Sequence, residues 1–179
     1  MLESVNSGCD LLREVASYMN FAGGKMLRPR LLILVGRSVG TVDERMLRVA
    51  ASVELIHLAT LLHDDVIDKS NVRRGRPSVN AKYGDDVAIL MADLLFSNAF
   101  DLALSVIDPE VLRLLCRVTR LMCEGEMFQI EKRDAILTEK DYLYIIEAKT
   151  AALFSAISAI GALLWPVVAG VLGRFHAPR

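Results

Sequence analysis

Apolar residues return every three to four positions along most of the chain, and no alternating run of comparable length appears, so the pattern predicts helices throughout. A short amphipathic helix is expected from Cys9 to Phe21, ended by Gly23 and Gly24. Pro29 fits the first turn of a second helix, where a missing N–H costs nothing, and the apolar run Leu31 to Val35 follows. Gly40 and Thr41 mark the next break, and Asp43 and Glu44 favour a new amino terminus by complementing the helix dipole. The third helix then runs from about Asp43 to Asp68, with Leu47, Ala50, Ala51, Leu55, Leu58, Leu62 and Val66 at helical spacing.

Asn71 to Ser78, which holds Gly75 and Pro77, reads as a break. A short helical piece from Asn80 to Gly84 precedes a helix from about Asp85 to Ser105, which presents Leu90, Leu94 and Ala99. Asp108 caps a helix that Pro109 opens and that continues to about Glu131; Thr138, with Asp141 three residues on, imitates a capping box for a last helix reaching past Ala162. The sum is an all-α single domain of seven or eight helices, whose short connections favour antiparallel neighbours. Ala151 to Gly173 holds 23 residues without a charge, long enough to cross a bilayer. Its Ala, Ser and Gly content, Pro166, and its continuity with Glu147 and Lys149 favour a buried core helix over a membrane span.

The chemistry gathers where the third helix ends. LATLLHDDVIDKSNVRRGRP, Leu58 to Pro77, puts Asp64, Asp65 and Asp68 at DDxxD spacing within an apolar run, then Arg73, Arg74 and Arg76 beyond a polar turn. Asp64 and Asp68 share a helix face one turn apart. Such neighbours repel, and a pair of hard divalent cations held also by phosphate oxygens would relieve the repulsion. The arginines could take the remaining phosphate oxygens through their forked donors. His57, two turns before Asp64, is either a buried histidine with one satisfied hydrogen bond or a donor to phosphate, and the small Ala59 and Thr60 leave room beneath the acids. In GGKMLRP, Gly23 to Pro29, Lys25 and Arg28 are three apart and could converge on one anion, although the segment also serves as an ordinary helix boundary and lacks P-loop order. Lys149 and Thr150 interrupt an apolar helix, where the lysine either snorkels to water or meets an anionic group. Glu124, Glu126 and Glu131 read as solvated or interhelical carboxylates. Acids and bases at the rim of an apolar interior suit a diphosphate head on a hydrocarbon tail.

Composition narrows this picture without redirecting it. With 53% hydrophobic and 24% charged residues the chain is not disordered, and 21 basic against 22 acidic residues give no general attraction for nucleic acid. Three cysteines without zinc spacing suit a reduced, cytoplasmic protein; Cys116 and Cys123, seven apart, are expected as small core residues on one helix face, or packed between subunits. The first residues, with Glu3 and Asp10, carry no apolar secretory region.

Taken in order, GGKMLRP at 23–29, ELIHLATLLHDDVIDKSNVRRGRPS at 54–78, GEMFQI at 125–130 and KTAALFSA at 149–156 resemble the motifs of the trans-isoprenyl diphosphate synthases, or polyprenyl synthetases. The resemblance covers about residues 9 to 164, roughly the amino-terminal half to three fifths of a usual member. It implies an isoprenoid-synthase-like helical bundle around a central cavity, magnesium as cofactor, and isopentenyl diphosphate and an allylic prenyl diphosphate as substrates, in a homodimer or heterodimer. Carried onto this chain, it makes Asp64 and Asp68 magnesium ligands with Asp65 assisting. Lys25, Arg28, His57 and Arg74 would hold isopentenyl diphosphate; Arg73, Lys149 and Thr150 would contact the allylic diphosphate, with Gln129 nearby. Arg76 falls at a variable place. Ala59 and Thr60 stand where short-product members carry bulky aromatics, which implies a medium or long product of the kind used for quinone side chains.

The departure is a missing second aspartate-rich motif: after about Leu164 the sequence WPVVAGVLGRFHAPR no longer resembles the family. A non-catalytic subunit of a heteromeric synthase is therefore the alternative to a prenyltransferase. A terpene cyclase is a third reading, disfavoured by a basic cluster suited to a second diphosphate. Peripheral membrane association would fit the handling of a greasy product.

Overall fold

Asp43 begins a 24-residue helix by local chemistry alone: its carboxylate accepts the Met46 N–H at 3.0 Å and its carbonyl takes the Leu47 N–H at 3.2 Å. The computed structural model describes residues 8–20, 24–106 and 108–165. The elements in order are α1 Asp10–Asn20, α2 Leu27–Val39, α3 Glu44–Ile67, the paired strands β1 Val72–Arg73 and β2 Arg76–Pro77, α4 Val79–Tyr83, α5 Asp85–Leu104, α6 Pro109–Glu131, α7 Glu139–Ile146, a π turn Glu147–Ala151, and α8 Ala152–Leu163. The chain is all-α, an isoprenoid-synthase-like helical bundle, and the hairpin is its sole sheet among the described residues. Gly23 and the sequence after Trp165 lie outside the described residues.

Two compact units share the chain. The first takes the described residues of Met1–Leu27 together with Ala51–Leu102, the second those of Arg28–Ala50 together with Ala103–Arg179. In the first unit the buried apolar residues include Val15 and Ala16 of α1, Val53, Ile56, Ala59 and Leu62 of α3, and Ala88, Met91, Ala92, Leu95 and Ala99 of α5. Ser52 ties α3 to α5 by donating its hydroxyl to the Ala99 carbonyl at 2.7 Å. In the second unit α6 packs against α7, the π turn and α8.

Periodicity located the helices but not always the side they bury. On α6 the buried stripe is Val111, Leu115, Val118, Met122 and Gly125, recurring every four and three residues. Cys116 and Cys123 each follow a stripe residue by one position, about 100° round the helix, and are exposed rather than part of the core. The same offset exposes Leu47, whose neighbours Met46 and Val49 are buried. Leu90 of α5 is exposed as well, because α5 is apolar nearly all round and its sequence does not single out the face.

Caps appear where the sequence puts them. Asp108 accepts from the Glu110 and Val111 N–H groups with Pro109 in the first turn of α6, and Thr138 and Asp141 close a reciprocal capping box at α7. Three helical stretches, Glu44–Ile67, Asp85–Leu104 and Glu139–Leu163, are long and apolar enough to cross a membrane by length and composition. In the last of these, Leu153, Ala156, Ile157, Ile160 and Gly161 are buried.

The α3 cap yields a stability prediction. The Met46 N–H, then Arg45, holds the Asp43 carboxyl below its ordinary value of 3.8. A depressed folded value means the cap stabilises the protein above the unfolded pKa and loses that contribution as pH falls through the folded one. Asp43→Ala should cost about 1 kcal/mol at neutral pH, read as a lower urea midpoint. The gap between the two proteins should close in acid.

Candidate functional site

The three aspartates sit at the carboxyl end of α3, where the helix dipole is negative and acids are disfavoured. The helix stops there because Lys69 turns left-handed, at φ 51°, and the Ser70 and Lys69 N–H groups return to the carbonyls of Asp65 and Val66 at 2.8 and 3.2 Å. Asp64 is half-buried, Asp68 exposed and Asp65 buried. Arg73 offsets the buried charge: its Nε lies 3.0 and 3.1 Å from the two oxygens of Asp65, and its Nη2 forms a further short contact with Oδ1. These hydrogen bonds push the Arg73 pKa up, against desolvation, with the charges of Asp64 and Asp68 adding to the effect. Asp65, expected as an assisting metal ligand, thus has both carboxylate oxygens turned to Arg73.

The segment expected as a plain break is a hairpin, with Val72 opposite Pro77 and Arg73 opposite Arg76. Its two-residue turn needs positive φ twice. Gly75 supplies 75° readily, whereas Arg74 is held at 54° at a cost of about 1 kcal/mol. The hairpin is anchored to the end of α3: Ser78 Oγ donates to the Ser70 carbonyl at 2.6 Å, and Asn80 Nδ2 reaches the Asp65 and Ser70 carbonyls, both at 3.2 Å. From the side of α1, the Tyr18 hydroxyl donates to the Pro77 carbonyl at 2.7 Å, and the Arg76 guanidinium lies 4.5 Å from the Tyr18 ring centre. Leu58, Leu62, Asp65, Arg73, Arg74 and Val79 are among the lining of a cleft of about 60 Å³ in this unit.

Arg74 brings the two basic motifs of this unit together. A Cβ on Gly24 would stand 3.1 Å from Arg74 Nη1, so the guanidinium rests on the bare backbone next to Lys25, which is itself exposed. His57 is half-buried, Ala59 fully buried, and the Thr60 hydroxyl donates to the His57 carbonyl at 2.8 Å. His63 lies 3.6 Å from Asp93 and against Phe96, a structural setting.

The other predicted site residues, Arg28, Gln129, Lys149 and Thr150, belong to the second unit. Lys149 and Thr150 lie in the π turn, whose wider winding interrupts the α7–α8 helix. Gly125 lets that turn approach α6, since a Cβ there would come within 2.6 Å of Ala148 Cβ. Lys149 Nζ donates to Gln129 Oε1 at 3.0 Å and forms a close ion pair with Glu126 Oε2. Thr150 is exposed, and the Arg28 guanidinium lies 5.2 Å from the centre of the Phe154 ring. Glu126, expected as a solvated or interhelical carboxylate, is interhelical, and its lysine partner was not foreseen. Its spacing from Gln129 on α6 was visible, but no sequence signal announces a lysine delivered by a π turn.

The first unit thus carries an acidic helix end with an arginine fixed beside it, and the second a lysine held by a glutamate and a glutamine. Residues 9–171 match the model of the polyprenyl synthetase family, and the chain belongs to that family. It is 36% identical over 165 residues to octaprenyl diphosphate synthase of Escherichia coli, covering 92% of this chain and 51% of that protein. To geranylgeranyl diphosphate synthase of Methanosarcina mazei it is 40% identical over 161 residues, covering 86% and 49%. Among solved structures, a decaprenyl diphosphate synthase from Rhodobacter capsulatus superposes with a TM-score of 0.85 at 38% identity, over 89% of this chain and 49% of that one. A polyprenyl synthase from Caulobacter crescentus, complexed with calcium and isoprenyl diphosphate, gives 0.85 at 38% identity, over 92% and 49%. The chain spans about half the length of the curated relatives it matches.

Removing Arg73 alone strands the buried Asp65 charge. Because the Arg73 side chain is 38% exposed, Arg73→Ala should cost about 2 kcal/mol, less than a fully buried broken pair. Asp65→Asn combined with Arg73→Ala should cost less than the sum of the two single changes, as read by urea denaturation.

Proposed function

We propose that this chain forms the part of a trans-prenyl diphosphate synthase that binds an allylic prenyl diphosphate and isopentenyl diphosphate and joins them. The observation carrying this reading is the set of carboxylates at the negative end of the α3 dipole with Arg73 locked beside them. Asp64 and Asp68 would hold magnesium. Among the described residues no group of three or more His, Cys, Asp or Glu side chains could hold a metal ion by itself. Two carboxylates one turn apart would leave most of a hard cation's oxygen shell to the substrate's diphosphate and water. Bound magnesium supplies positive charge that lowers the barrier to diphosphate departure.

The chain's own groups do the rest. By the family resemblance Arg73, Lys149 and Thr150, with Gln129 nearby, would each serve the allylic diphosphate. By the same resemblance Lys25, Arg28, His57 and Arg74 would each serve isopentenyl diphosphate, whose alkene would attack the allylic carbon as the carbon–oxygen bond breaks and diphosphate leaves, the resulting cation then losing a proton to restore a double bond. Apolar helix surfaces exclude water from that cation. Asp65 orients Arg73, which its paired carboxylate supports better than direct metal ligation. Ala59 and Thr60 leave space for tail growth, which points to medium or long products such as quinone side chains. The setting is cytoplasmic, the assembly a homodimer or heterodimer, and association with membranes peripheral.

A second reading, a non-catalytic subunit of a heteromeric synthase, is favoured by exposed apolar side chains: Leu34 is 63%, Leu90 68% and Met127 71% exposed, surfaces suited to a protein partner.

Calorimetry with inorganic pyrophosphate tests the shared core of both readings. Binding should require magnesium and disappear with chelator, and Asp64→Ala and Asp68→Ala should each weaken it about tenfold or more. Magnesium-independent binding that survives both changes would sink the proposal. Elongation of an allylic diphosphate by the chain alone selects the first reading; elongation dependent on a second prenyltransferase chain selects the other.

A further inference from the structure

Lys149 is held by two side chains of α6 before any ligand arrives. An ammonium has three N–H donors; Gln129 Oε1 takes one at 3.0 Å and Glu126 Oε2 another. The Lys149 side chain is 24% exposed, which leaves a path for the remaining donor. The Glu126 side chain is only 12% exposed, and its Oε1 is buried with no hydrogen-bond partner among the described residues. A carboxylate kept in so dry a place with one oxygen unsatisfied is an expensive way to fill space. A glutamine there could accept the same lysine hydrogen bond and would bring no charge to desolvate. What the glutamate adds is the negative charge itself.

We propose that Glu126 is the resident counter-anion of Lys149: it keeps the ammonium fixed on the α6 wall in the empty site and competes with the incoming diphosphate for it. The proposal rests on the reading above that Lys149 meets a diphosphate. Glu126 is a positioning residue, acting through Lys149 and not on the substrate. The backbone supports this assignment. Lys149 lies in the π turn, and a Cβ on Gly125, the residue preceding Glu126, would stand 2.6 Å from Ala148 Cβ and 3.4 Å from Lys149 Cγ. With Glu126 charged, the lysine wall is neutral overall. When a polyanion binds, the nearby carboxylate repels it, so the wall holds diphosphate less tightly than a bare lysine would and lets it leave more easily.

The sign of the effect separates this role from an ordinary structural ion pair. Glu126→Gln should tighten binding of magnesium pyrophosphate, roughly threefold to tenfold for one like charge removed at close range, whereas Lys149→Gln should weaken it. In the Lys149→Gln background the gain from Glu126→Gln should vanish. Weakened or unchanged binding in Glu126→Gln, with Lys149→Gln still weakening it, overturns the proposal and leaves the proposed function standing. Acylation of lysines, read residue by residue by mass spectrometry without ligand, is the independent arm: Glu126→Gln should raise labelling of Lys149 and of no other lysine. Unchanged Lys149 labelling shows that Glu126 does not hold it and overturns the proposal. Absence of pyrophosphate binding by the unaltered chain overturns the proposed function, and with it the competition, while labelling still decides whether Glu126 holds the lysine. Glu126→Asp keeps the charge but draws it back by one methylene, so its affinity should fall between those of the unaltered chain and Glu126→Gln. Matched circular dichroism melts establish that the compared proteins are folded.

Discussion

A cation that must wait for an anionic ligand on a half-buried wall needs a carboxylate beside it in the meantime. Without one, desolvation drives the side chain out into water. Both units meet this requirement with the same device. Asp65 holds Arg73 through both carboxylate oxygens, and Glu126 with Gln129 holds Lys149. The two pairs differ in strength. The guanidinium forks onto Asp65 and its geometry is fixed, whereas the ammonium is a single point shared between two acceptors and can be drawn away by a third.

Each pair depends on backbone that is not regular helix. Arg73 can reach back eight residues to Asp65 because α3 ends abruptly in a left-handed Lys69 and the chain reverses through a hairpin whose tip holds Arg74 at positive φ. Lys149 reaches across to α6 because five residues wind as a π turn and Gly125 gives way to them. Irregular backbone costs free energy and persists only when its surroundings over-determine it. Here the surroundings are evident: Ser78, Asn80 and Tyr18 brace the hairpin, and ordinary α-helix flanks the π turn on both sides. Among the described residues the non-glycine positive φ values fall at Met26, Lys69 and Arg74, each in or beside a segment that carries basic residues.

This division also explains what could be read from the sequence. Helix starts were legible at Asp43, Asp108 and Thr138 because a cap is written in one or two side chains and acts over three residues. The family was legible because its motifs occur together and in order. The hairpin was not, since its strands are two residues long and arginine occupies a turn position that usually calls for asparagine or glycine. Nor was the π turn, which leaves no compositional trace. The exposed Cys116, Cys123, Leu47 and Leu90 mark a third limit: in helices this apolar, spacing fixes the period but only packing fixes the phase. The partners of Asp65 and Glu126, Arg73 and Lys149, were not legible because they arrive from elements whose geometry the sequence concealed.

Burial sorts the site's acids into two kinds with different work. Asp65 and Glu126, the least exposed, are each matched by a basic side chain of their own unit, so their charges are spent on holding that cation. Asp68 is exposed and Asp64 half-buried at the end of a helix whose dipole already disfavours negative charge. Adding a divalent cation there relieves two penalties at once, the mutual repulsion of carboxylates one turn apart and their clash with the dipole, and it does so without disturbing the Asp65–Arg73 pair. Under the proposed function a divalent cation and the fixed arginine would therefore be compatible occupants of one helix end, with diphosphate oxygens able to satisfy both together.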